Sequence, residues 1–386
     1  MFWKKKVIGD SNGRLALLNE NIIRYATAFL TIVVVFMVVG VGTTEADFFF
    51  GTPTNLGSTV NSPSWDVAPC ISSDGLSLYF QSDRAGGWGS HDIWVTTRET
   101  VQDPWGEPMN LGPTVNCDTV DGGPSITANG LELYFASWRP DGSGSFDTWV
   151  STRASISEPW GEPVNLGPTI NSSADDVAEI SYDGLTAIIS TNRSGGYGGQ
   201  DLWVSTRPTL SDAWSEPVNL GPTVNSSVWD WDTALSADNR FLFFTSQRSG
   251  GSGGDDLWLI KRETINDPWS TPRNLGAAVN SSYHDDFPGI SFDGSTLYFN
   301  SNRPGGLGDP DLWQVSIDPV VDLNADGTVD VKDVVFMTEH WGENYPLCDI
   351  GPTPFGDGIV DAQDLIVLAN HLPVVESAHT VIESRI

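Results

Sequence analysis

The sequence predicts an all-β five-bladed propeller followed by a small all-α domain of two loop–helix units, and three observations carry that reading. Asn-Leu-Gly recurs at Asn55, Asn110, Asn165, Asn219 and Asn274. An aspartate two residues before a tryptophan recurs at Asp92, Asp147, Asp201, Asp256 and Asp311. Both series step by 54 or 55 residues, a period that marks arrays of short-stranded repeats. The third observation concerns closure. The fifth copy ends at Val315 without a Trp-x-x-Pro-x-Asn-Leu-Gly segment, and an orphan Phe50–Gly57 stands at the start. Phe50 lies 55 residues before Trp105, in the slot of the fourth-strand tryptophan. The N-terminal strand is therefore expected to complete the last blade and remove the free sheet edges.

The third copy shows how one blade is written. Val177–Ser181 reads as a first strand, and Asp183-Gly184 is a tight-turn signal. Thr186–Ser190 and Asp201–Ser205 read as second and third strands. The Arg193–Gly199 loop between them needs positive φ and so carries glycine. Trp214–Leu220 reads as an edge strand because it contains Pro217. Four antiparallel strands per repeat make a propeller blade. Trp94, Trp149, Trp203, Trp258 and Trp313 in the third strands, and Trp105, Trp160, Trp214 and Trp269 in the fourth, are expected to form the inter-blade core.

Composition narrows the setting. The net charge of −31 repels phosphate backbones, which argues against nucleic acid as a partner. Cys70, Cys117 and Cys348 have no Cys-x-x-Cys spacing, so neither a zinc site nor a disulfide framework is indicated, although a Cys70–Cys117 bridge stays open. Residues 1–46 carry Lys4–Lys6, Arg24, the apolar run Ala26–Gly42 and a small-residue Thr44-Glu45-Ala46 site. This reads as a secretory signal, or as a retained N-terminal anchor, which alone would give the chain a membrane contact. The remainder is expected outside the cytoplasm, secreted or at the cell surface. Residues 47–318 are the expected propeller, 319–374 the C-terminal domain and 375–386 a tail.

The pattern Ile-Ser-x-Asp-Gly-x-x-Leu-Tyr-Phe-x-Ser-x-Arg-x-Gly-Gly-x-Gly-x-x-Asp-Leu-Trp, fullest at Ile71–Trp94 and Ile290–Trp313, resembles the WD-like repeat of the TolB family. TolB-like propellers have six blades, whereas this chain has five repeats. Asn129 and Asn239 alter the Asp-Gly turns, and Pro140-Asp141-Gly142 replaces a Gly-Gly pair.

Asp322, Asn324, Asp326, Asp330 and Asp333 fall at positions 1, 3, 5, 9 and 12 of an EF-hand calcium loop, with the Thr328 carbonyl at position 7. Gly327 supplies the sharp turn, and an apolar helix follows. A second loop offers Asp357, Ile359, Asp361 and Asp364, with Asp349 as first ligand across a four-residue insertion. Calcium is the expected cofactor. The two loop–helix units resemble a type I dockerin. That resemblance implies a cohesin-like scaffold protein as partner, read by Val331-Lys332 and Ala362-Gln363, and a setting in polysaccharide degradation.

The ring invites comparison with five-bladed glycoside hydrolases, which place three carboxylates around the channel. Asp66, Asp121, Asp176, Asp230 and Asp285 precede the first strands. An acid repeated in every blade argues for a structural cap, because catalysis needs different roles at different positions. No Ser-His-Asp order, His-Glu-x-x-His or phosphate loop is present. The arginines of the glycine-rich loops, Arg84, Arg139, Arg193, Arg248 and Arg303, are expected to pair with the repeated aspartates. The candidate ligand-binding residues are the aromatics that break the repeat and the acids beside them: Trp65 with Asp66, Trp229 and Trp231 with Asp230, and His284 with Asp285. The reading is a non-catalytic platform for glycan or protein. A glycoside hydrolase or lyase and a structural envelope protein are the alternatives.

Overall fold

The computed structural model describes residues 48–372, so the apolar run Ala26–Gly42 and the 375–386 tail lie outside the described residues. Five antiparallel sheets form the propeller. The inner strands are Asp66–Ile71, Asp121–Ile126, Asp176–Ile180, Asp230–Leu235 and Asp285–Ile290. Each pairs outward with a second and then a third strand, for example Thr186–Thr191 and Asp201–Thr206 in the third blade. The outer strand shrinks to two residues, as at Val218–Asn219, rather than the seven expected from Trp214 to Leu220. Pro217 has no N–H to donate, and Trp214 turns instead onto the Arg207 guanidinium, 4.4 Å from its ring. Trp105, Trp160 and Trp269 do the same with Arg98, Arg153 and Arg262.

The ring closes on its N-terminus. Thr54 and Asn55 pair with Gln314 and Trp313, and Phe48–Phe50 pairs with Ile317–Pro319 beyond the repeat. Asn55 donates to Asp311 across 256 residues at 3.1 Å, the bond that Asn110, Asn165, Asn219 and Asn274 make inside their own blades. Core clusters lie between adjacent blades, with the recurrent third-strand tryptophans among them. All three cysteines are free thiols, so the Cys70–Cys117 bridge is not formed.

Two helices follow, α1 (Val331–Glu339) and α2 (Ala362–His371), each opened by a capping box, Asp330 with Asp333 and Asp361 with Asp364. This module is not held by a linker alone. Phe355 enters the propeller core, stacked on Phe241 at 4.4 Å and edge-on to Phe48 at 5.2 Å. Arg240 donates to the Gly356 carbonyl at 2.6 Å. No helix among the described residues is long and apolar enough to cross a membrane.

Candidate functional site

The five arginine–aspartate pairs are all present. Arg139 meets Asp121 at 2.7 Å and Arg193 meets Asp176 at 2.6 Å, and every one of these carboxylates is fully buried. The second oxygen of each aspartate accepts a loop amide, as Asp66 does from Ser62 at 2.6 Å. Asp66, Asp230 and Asp285 are therefore consumed by the scaffold. This corrects their assignment to a ligand site, because no oxygen of theirs is left to face one.

The acids that face the channel are others. Its wall is formed by the inner strands and includes Ala68, Cys70, Glu179, Tyr182, Asp232 and Phe287. Four inner strands carry a β-bulge, and the third does not. Its aspartates Asp176 and Asp201 lie one residue closer together than their counterparts, which is the missing bulge residue. Ala68, Gly123, Asp232 and Phe287 occupy the bulge position with φ of 54°, 56°, 38° and 49°. Non-glycine residues are rarely found there, and the bulge turns Asp232 out of the ladder into the channel. Asp286 sits beside the fifth-blade bulge and accepts from the Asn300 amide.

Burial drives the electrostatics. Asp232 is pushed well above the usual carboxylate range by burial and then by the charges of Asp286 and Asp255. Asp286 is raised by burial and by Asp255 and Asp285, with the Asn300 bond opposing. Deeper in the wall, burial raises Glu179 to about 8 from 4.5, opposed by a bond with Ser125. Tyr182 closes the lower end, its hydroxyl donating to the carbonyls of Ile290 at 2.8 Å and Ile71 at 3.1 Å. A folded pKa raised above the unfolded one means that ionisation opposes folding. Stability should then fall as pH rises from about 4.5 to about 8. Glu179→Gln is expected to flatten that slope and raise Tm at pH 8, and a pH series of melting curves with the native slope intact would refute this.

Trp229 and Trp231 meet edge-on at 5.8 Å at the inner strand of the fourth blade, and Trp231 lies 5.7 Å from Phe287. His284 contacts Asp255 at 2.6 Å, between the fifth and fourth blades. Trp65 holds the same repeat position in the first blade, where it faces His91 at 6.0 Å. Blades four, five and one are neighbours in the ring, so these residues share one face. Thr233 Oγ1, Trp231 Nε1, Asp232 Oδ2 and Asp255 Oδ1 are buried atoms without a hydrogen-bond partner among the described residues. Glu179, Asp232 and Asp286 do not recur with the period of the repeat, so the pattern that marks the scaffold acids does not mark them. The signal is the opposite one, an acid in one inner strand and absent from its counterparts in the other blades.

In the C-terminal module, Asp322 accepts from the amides of Asp326 and Gly327, and Asp349 accepts from those of Asp357 and Gly358. Asp333 and Asp364 each turn back onto three loop amides. Asn324 accepts from Asp326, Asp326 from Thr328, and Asp357 from Ile359. Asp330 and Asp361 cap the helices through the amides of Lys332 and Gln363. The two loops thus share one pattern of backbone bonds, in which Asp349 accepts the amides equivalent to those that Asp322 accepts. Every donor is a hard oxygen, which fits calcium chemistry. With the carboxylates turned onto backbone amides, no three acidic, histidine or cysteine groups among the described residues converge enough to share a metal. The Lys332 ammonium reaches Asp326 at 2.6 Å and Asp330 at 3.7 Å, where the second loop places the neutral amide of Gln363, 3.0 Å from Asp357.

No family model and no curated protein matches the chain. Solved structures are similar in their propeller fold. TolB from Acinetobacter baumannii is 14% identical with a TM-score of 0.43, over 67% of this chain and 56% of that one, so the alignment spans little more than half of TolB. The catalytic domain of the Coprinopsis cinerea GH62 α-L-arabinofuranosidase is 13% identical with a TM-score of 0.46, over 70% and 97%. The exo-β-1,3-galactanase 1,3Gal43A from Clostridium thermocellum is 12% identical with a TM-score of 0.44, over 69% and 62%.

Proposed function

We propose that this chain is an exported, non-catalytic binding protein whose propeller recognises a glycan at the channel mouth. Its C-terminal module is a calcium-dependent, dockerin-like tether to a cohesin-type partner. The observation that carries the reading is the wall at the mouth. Trp229, Trp231 and Phe287 offer ring faces beside buried polar atoms that have no protein partner. A sugar ring asks for both, an apolar face to stack on and hydroxyl partners at its rim. Trp229→Ala is expected to weaken glycan binding roughly 30-fold, the equivalent of about 2 kcal/mol for a central aromatic. A glycan-array screen on the full chain, followed by titration calorimetry on the hits, tests this. Equal affinity in the variant sinks it.

Hydrolysis is the second reading, favoured by burial holding Asp232 and Asp286 above the usual range and Glu179 at about 8. Against it, Asp232, Asp286 and Glu179 are all raised by burial rather than divided into one ionised and one protonated partner, the division of roles that acid–base hydrolysis needs. Product analysis on each array hit separates the two, since new reducing ends would establish the enzyme.

For the tether, calcium at about a hundred times its Kd is expected to stabilise the module by ~2.7 kcal/mol. The gain should disappear in chelator and in an Asp322→Ala/Asp349→Ala double variant. A melting temperature indifferent to calcium would remove the metal from the proposal.

A further inference from the structure

We propose that the glycan taken at the channel mouth is an amino-sugar polymer, its free ammonium seated between Asp232 and Asp286 against the Trp231 ring. The inference rests on the glycan reading and specifies its chemical class. Asp232 and Asp286 lie on adjacent blades with Asp255 close enough to perturb both, so the mouth gathers three acids that a bound cation would hold in their ionised form. None of the arginines is paired with either acid among the described residues, because the ones nearest in the repeat are spent on Asp230 and Asp285.

The acids do not stand alone as an indication of a ligand. Thr233 is only 8% exposed and lines the channel beside Asp232, yet its hydroxyl has no partner. Asp255 is 6% exposed, holds His284 with one oxygen and leaves the other unsatisfied. Buried polar atoms left without partners are costly, so a site that keeps several of them is shaped for something that supplies the missing bonds. The Asp232 and Asp255 oxygens ask for donors, and a protonated amine offers three. The adjoining Trp231 face attracts a cation through its ring quadrupole, and its unpartnered indole N–H can donate to a sugar hydroxyl. A bare metal ion would use neither the ring nor the indole. N-acetylation of the amine removes the charge and adds bulk where the carboxylates stand.

The test is calorimetric binding of a glucosamine hexamer, an N-acetylglucosamine hexamer and cellohexaose to the full chain. The glucosamine oligomer is expected to bind ~10- to 100-fold tighter than its acetylated form, the range for a hydrogen bond to a charged group. This contrast needs no variant. Asp232→Asn/Asp286→Asn should erase that preference while leaving weak binding to cellohexaose, and it replaces two acids whose ionisation burial opposes, so its Tm should not fall. Equal affinity for all three oligomers overturns the amino-sugar inference and leaves the glycan reading standing. Binding of a lysine-rich peptide, lost in the double variant, with no oligomer bound, overturns both.

Discussion

A chain lacking residues 48–55 is expected to lose the closed ring and with it most of its thermal stability. Phe48 is only 5% exposed and packs edge-on to Phe50 at 5.6 Å and to Phe241 at 6.1 Å. Truncating a buried phenylalanine alone costs about 3–5 kcal/mol, against a typical total of about 5–15 kcal/mol. The deletion also strips the outer partner from Trp313 and Gln314 and frees an edge that can pair with another chain. Melting curves and size-exclusion chromatography should show a lowered Tm and concentration-dependent association. Phe48→Ala should give a smaller loss without the association. A truncated chain that stays monomeric with native Tm would mean that the ring does not depend on its closing strand.

Phe355→Ala is expected to release the C-terminal module from the propeller. Phe355 is 6% exposed, and besides Phe241 and Phe48 it reaches Phe243 at 6.3 Å. The loss is about 3–5 kcal/mol for a buried phenylalanine, all of it on one interface. A single thermal transition should then split in two, and proteolysis should begin in the 319–323 connection. Two further variants probe the same interface. Arg240→Ala removes the donor to the Phe355 and Gly356 carbonyls. Gly294→Ala would put a Cβ 2.6 Å from the Phe355 ring, at a φ of +71° that disfavours any side chain. Unaltered cleavage kinetics in Phe355→Ala would show that the module is held by other means. The residues that lengthen the second loop are thus the ones that dock it, which gives the insertion between Asp349 and Asp357 a physical reason.

Much of the architecture is legible without coordinates because each blade repeats its own local contacts. Asn110 bonds Asp92, Arg139 bonds Asp121 and Trp160 meets Arg153 within a single copy, so a period of 54 or 55 residues announces them. The candidate site is legible only in part. Trp229, Trp231 and His284 stand out as departures from the repeat; Trp229 meets Trp231, and His284 meets Asp255. Asp230 and Asp285 beside them look equally available in a linear reading, but lie beneath Arg248 and Arg303.

The number of blades, the strand that closes the ring and the arginine–aspartate pairs are properties of the primary structure, since each is a local pattern written in every copy. Which acids line the channel, and where the C-terminal module rests, follow from the folded molecule alone. Asp232 enters the channel because a bulge with positive φ turns it there, and Glu179 stands in the wall of the one inner strand that lacks the bulge. Phe355 finds its pocket among Phe48, Phe241 and Phe243, residues brought together only when the ring has closed. Contacts between non-equivalent blades have no period, so no repeat in the chain can announce them.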